Sequence, residues 1–103
     1  MNQIELRLSA MAALCGVITS NVRKVSIEAE DNSIRVFFYY NENPSEEEVE
    51  LSDIAETEII ADFPKINLIN SERIVIKYPE KINYNGYLIY SRFEKPPNDN
   101  ENF

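Results

Sequence analysis

At 103 residues the chain holds one domain with one modest core, and its 44% hydrophobic and 27% charged residues are an ordinary globular balance. It has no His, no Trp and a single Cys, so the commonest acid–base residue, the commonest metal ligand and any internal disulfide are removed together. Ten Lys and Arg against eighteen Asp and Glu leave a net charge of -8, a field that repels both nucleic acid and anionic membranes and favours a basic protein as partner.

The first element is a helix over residues 3–15. Ile4, Leu8, Met11 and Cys15 recur at steps of four and three, with Leu14 and Ile18 beside them, and this stripe is the expected buried face, with Cys15 a small core residue. Gly16 can end the helix in the left-handed region. The apolar run 10–18 is too short to span a bilayer and lacks the basic flank of an export signal, so the expected location is cytoplasmic, which also suits an unpaired Cys.

Period two takes over at residues 22–30, where Val25, Ile27 and Ala29 alternate with Lys24, Ser26, Glu28 and Glu30. Asp31-Asn32 supplies the tight turn of a hairpin. The returning strand, 33–40, is apolar or aromatic on both faces of its second half (Phe37, Phe38, Tyr39, Tyr40), which places it centrally in a sheet or against a partner.

Ser45 and Glu48 form an S-x-x-E capping box at the start of a second helix running to about residue 61, expected to bury Leu51, Ile54, Ala55 and Ile59. Phe63-Pro64 stops it. Two short strands, 66–69 and 72–78, follow around an Asn70-Ser71 turn; a loop, 79–86, leads to a last strand at 87–93. The order α-β-β-α-β-β-β predicts a two-layer α+β sandwich, an antiparallel sheet of about five strands with two helices on one face. Residues 1–94 form the single domain and 95–103 an acidic tail expected to be disordered.

Chemistry is scarce. Glu46, Glu47 and Glu48 sit on neighbouring helical positions without the Asp/Asn spacing or Gly turn of a calcium loop, so no metal and no cofactor is expected. The only glycines, Gly16 and Gly86, stand outside any phosphate-binding motif, and no base pairs with a Ser, Thr or Cys nucleophile, so no enzyme is expected. What remains is recognition. The expected partner-binding residues are Glu42, Glu46, Glu47, Glu50 and Asp53 around the start of the second helix, with Tyr39 and Tyr84 as aromatic anchors. A leftover apolar face would also allow a homodimer.

The segments Ile4-Glu5-Leu6-Arg7-Leu8-Ser9-Ala10, Val25-Ser26-Ile27-Glu28 and Ile34-Arg35-Val36-Phe37-Phe38-Tyr39-Tyr40 resemble small bacterial immunity proteins of contact-dependent growth inhibition and colicin-like systems. Pro44-Ser45-Glu46-Glu47 and Thr57-Glu58-Ile59-Ile60-Ala61-Asp62-Phe63-Pro64 extend the likeness, which covers roughly residues 4–93. The resemblance implies a protein that binds the C-terminal domain of a cognate toxin, expected to be a basic nuclease, and occludes its active site. It transfers no individual residue, because such proteins carry no catalytic signature. Two other binding roles fit the same chain: an acidic nucleic-acid mimic that inhibits a DNA-binding enzyme, and an assembly module working by strand addition.

Overall fold

The computed structural model describes residues 2–96; most of the expected tail lies outside them. Helix α1 (Gln3–Ala13) precedes a hairpin of β1 (Val22–Glu30) and β2 (Ser33–Tyr40); helix α2 (Glu46–Ala61), β3 (Leu68–Val75) and β4 (Tyr87–Ser91) follow. Among the described residues the sheet has four strands in the order β3-β2-β1-β4, and it is mixed: β1 pairs antiparallel with β2 and β4, while β2 and β3 run parallel.

The expected five antiparallel strands therefore reduce to four, one of them parallel. Residues 66–69 and 72–78 read as two strands because Asn70-Ser71 looks like a turn, yet both residues lie inside β3, paired with Arg35 and Val36. The Ser71 hydroxyl donates to Glu56 Oε2 of α2 at 2.8 Å, so a polar side chain that signals a turn in sequence serves here as a strand-to-helix tie. Parallel neighbours need a crossover, and α2 supplies it.

Both helices pack on one face of the sheet, over Ile34, Val36, Phe38 and Tyr40 of β2 and Val25 and Ile27 of β1. The buried stripe of α1 is Leu6, Ser9, Ala10 and Ala13; of the expected face only Leu14 and Ile18, beyond the helix, reach the core, whereas Ile4, Leu8 and Met11 are more than half exposed and Cys15 is exposed as well. The two stripes share the same helical period, and the inward one, Leu6 apart, is made of small side chains. The same choice recurs in α2, which buries Ser52, Ala55 and Ile59 and half-buries Leu51, while Ile54 faces out. In β1 the inward alternation stops at Ile27, leaving Ala29 exposed near the hairpin tip, where Asp31 takes a positive φ of 51°.

Among the described residues no helix covers the opposite face of the sheet. Residues 76–86 cross it instead, seating Ile82 with Ile74 and Ile76 on Phe37 and Tyr39. Gly86 makes this connection possible: its φ is 74°, and a Cβ there would stand 2.3 Å from the Ile27 carbonyl oxygen. A bulge in β1 between Val22 and Lys24 turns Arg23 inward at 3% exposure. Its guanidinium holds Glu94 through two bonds of 2.8 and 2.9 Å and donates to the Ile76 carbonyl at 2.7 Å, locking the chain beyond β4 onto the sheet.

Candidate functional site

The start of α2 is organised by the capping box read from the sequence. Ser45 Oγ accepts from the Glu48 amide at 3.1 Å, and Glu48 Oε1 accepts from the Ser45 amide at 3.0 Å. Tertiary contacts then use the same carboxylate again: Thr19 Oγ1 donates to its Oε2, and Asn21 Nδ2 reaches its Oε1 at 3.3 Å. Burial pushes the Glu48 carboxyl up, but the hydrogen bonds from Thr19, Ser45 and Asn21 outweigh it and hold the group below its ordinary value. Asn21 also brackets Glu42, donating to its carbonyl at 2.9 Å and accepting from its amide at 2.8 Å, and so fixes the turn from β2 into α2.

With Glu48 committed to structure, Glu46, Glu47 and Glu50 form the outer rim. All three are exposed, and none forms an ion pair among the described residues. The helix EEEVELSDIAETEIIA contains no Lys or Arg to offset them. Glu46 and Glu47 gain from the positive end of the helix dipole, but Glu50 stands one helical turn beyond both and meets their like charge. Asp53, 3.8 Å from Arg73 and largely exposed, makes only a weak surface pair. Beside the rim lies a polar cleft of about 540 Å³ whose walls include Asn21, Asn41, Glu42, Glu48 and Arg92. Among the described residues no group of three or more His, Cys, Asp or Glu is arranged to hold a metal ion. What this end of the molecule offers chemically is the exposed carboxylates of Glu46, Glu47 and Glu50, without an ion pair among the described residues and suited to accept Lys and Arg.

The aromatic anchors expected from the sequence stand elsewhere. Tyr39 is 2% exposed: strand alternation sends Phe37 and Tyr39 to the face opposite Phe38 and Tyr40, and the 76–86 segment covers them. Its hydroxyl accepts from the Asn85 amide at 3.2 Å, so its ring cannot enter a partner's pocket. Tyr84 is exposed, but on that covering segment, beside Lys81 and Lys95 rather than the α2 carboxylates. Tyr40 lies under α2, where burial, with Glu48 nearby, raises its phenol to about 12 and keeps it neutral. The structure thus brings Glu42, Glu46, Glu47, Glu50 and Asp53 to one helix and its approach, and separates both tyrosines from them. Thr19 and Asn21, which hold this end together, escape a sequence reading because they meet Glu48 across 29 and 27 residues without a local motif.

No curated protein matches this chain. The family model described as MafI2 immunity protein matches residues 3–94, nearly the whole chain, which therefore belongs to that family of immunity proteins of bacterial toxin systems.

Proposed function

We propose that this MafI2-family protein neutralises its cognate toxin by laying the acidic end of α2 into a basic cleft of the toxin's C-terminal domain, occluding the active site. A nuclease is the toxin class that such a surface fits, because a cleft built to hold phosphates is lined with Lys and Arg. The observation that carries this reading is the exposed row Glu46, Glu47 and Glu50, which forms no ion pair among the described residues. Like charges kept together without compensation cost the free protein stability, and a basic partner converts that cost into attraction and fast encounter.

Encounter with the toxin before it acts suits a cytoplasmic address, and no helix among the described residues is long and apolar enough to cross a membrane. Self-association through the exposed Ile4, Leu8 and Met11 of α1 belongs to the same proposal. Sedimentation at the monomer mass over all concentrations would remove it.

Reversing the row tests the central reading. Glu46→Lys, Glu47→Lys and Glu50→Lys together should lower affinity for the toxin domain at least about tenfold while the circular-dichroism spectrum stays intact. The wild-type affinity should also fall steeply with added salt. Equal affinity of the folded triple variant and the wild type would place the toxin on another surface.

A further inference from the structure

The far end of the helical layer carries a second feature. Where α1, the β1–β2 turn and the end of α2 meet, a groove of about 370 Å³ opens, walled by Phe63, Pro64 and Ile66 and rimmed by Glu5, Asp31 and Asp62. It continues along α1 past the exposed side chain of Leu8. Its walls are mainly apolar and its rim carries three carboxylates against the single cation of Lys65. Ser9 donates to Asp62 Oδ2 at 2.6 Å, and neither Glu5 nor Asp31 has a side-chain partner among the described residues.

The position of Asp62 adds to this. It is the C-cap of α2, at the negative end of that helix's dipole, and the last turn of the helix has no basic residue. A carboxylate there is opposed by the helix's own carbonyls, and an incoming cation would be attracted by both. An apolar wall beside a negative rim also matches the anatomy of a long basic side chain, which buries its methylenes while its charged head meets the carboxylates.

Resting on the immunity reading above, we infer that this groove takes an Arg or Lys side chain of the same toxin domain, its stem along Phe63, Pro64 and Ile66 and its charge at Glu5, Asp31 and Asp62. The sixteen residues of α2 span about 24 Å, so one partner surface of standard size reaches both the acidic row and the groove. The toxin is then held at two places on the helical layer, with the row steering it in and the groove fixing its register.

The test uses the full chain and the purified toxin domain. Glu5→Gln and Asp31→Asn remove two rim charges without touching the Ser9–Asp62 bond, and Asn tolerates the positive φ at position 31. The double variant should bind about tenfold more weakly, mainly through faster dissociation, with an unchanged circular-dichroism spectrum. Hydrogen exchange in the wild-type complex should show protection of residues 4–9 and 62–66. If the wild type binds tightly while the double variant binds equally well and protection is confined to 42–53, the groove inference is overturned and the immunity reading stands. If the wild type does not bind the toxin domain at all, both fall.

Discussion

Helices α1 and α2 lie on the same face of the sheet and use the same device to do so. Each turns small side chains inward, Ser9, Ala10 and Ala13 from the first, Ser52 and Ala55 from the second. They differ in what is left outside. α1 presents Ile4, Leu8 and Met11 to solvent, whereas α2 presents Glu46, Glu47, Glu50 and Asp53. Ile4, Leu8 and Met11 and the outer α2 carboxylates Glu46, Glu47 and Glu50 lie outside the core, which leaves them available for a partner. One helix offers apolar area, the other charge, and an immunity protein that must bind tightly and quickly needs both.

The comparison breaks most visibly at the packed side. Leu6→Ala should cost about 2–5 kcal/mol in chemical denaturation, because Leu6 is buried in the core, whereas Leu8→Ala, two residues on, should stay within about 0.5 kcal/mol. Equal losses would mean that α1 packs by the other stripe. On the sheet's opposite face, Gly86→Ala should be comparably damaging, since no shift of a flexible side chain can relieve a Cβ set against the Ile27 backbone. Removal of the 76–86 cover would show as increased hydrogen exchange around Phe37 and Tyr39.

A smaller effect distinguishes structural from available carboxylates by pH. The Arg23 hydrogen bonds, helped by Arg92 and opposed by burial, hold Glu94 below its ordinary value, and Glu48 is held low as well. Folded carboxyls with lowered pKa contribute stability that is fully present above the ordinary carboxylate pKa and is lost as pH falls through their lowered values. The denaturation midpoint should therefore drop on acidification below about pH 5, and Glu94→Gln should flatten that limb. An acid limb unchanged in Glu94→Gln would show that the Arg23 clamp does not contribute to it. The smallest effect belongs to α2's outer row. Glu50→Gln, which relieves repulsion from Glu46 and Glu47, should leave stability unchanged or raise it by roughly 0.2–0.5 kcal/mol, the size of one exposed like-charge pair on a helix. A clear loss of stability would give Glu50 a structural role.

How much of this was legible in the residues follows the range of the forces. The Ser45/Glu48 capping box is a contact between neighbours along the chain, and it appears where the sequence places it. The two-faced apolar character of 37–40 correctly marks β2 as an inner strand, because a strand with a partner on each side and cover on both faces has nowhere to expose polar side chains. The parallel β2–β3 pairing was not legible, since it depends on how α2 carries the chain across the sheet. The choice between the two stripes of α1 was also hidden, because periodicity fixes the spacing of a buried face and not which face it is. For the candidate site, the concentration of carboxylates at the start of α2 is plain in the sequence, while the alternation of β2 buries Tyr39. The groove at Phe63 joins residues from three separate segments and has no local signature.

The most direct measurement is co-expression with the C-terminal domain of the protein encoded immediately upstream, scoring growth and purifying the two chains together. The account predicts a stoichiometric complex and growth rescue that disappears when this protein is omitted. Two soluble chains that neither associate nor restore growth would contradict it.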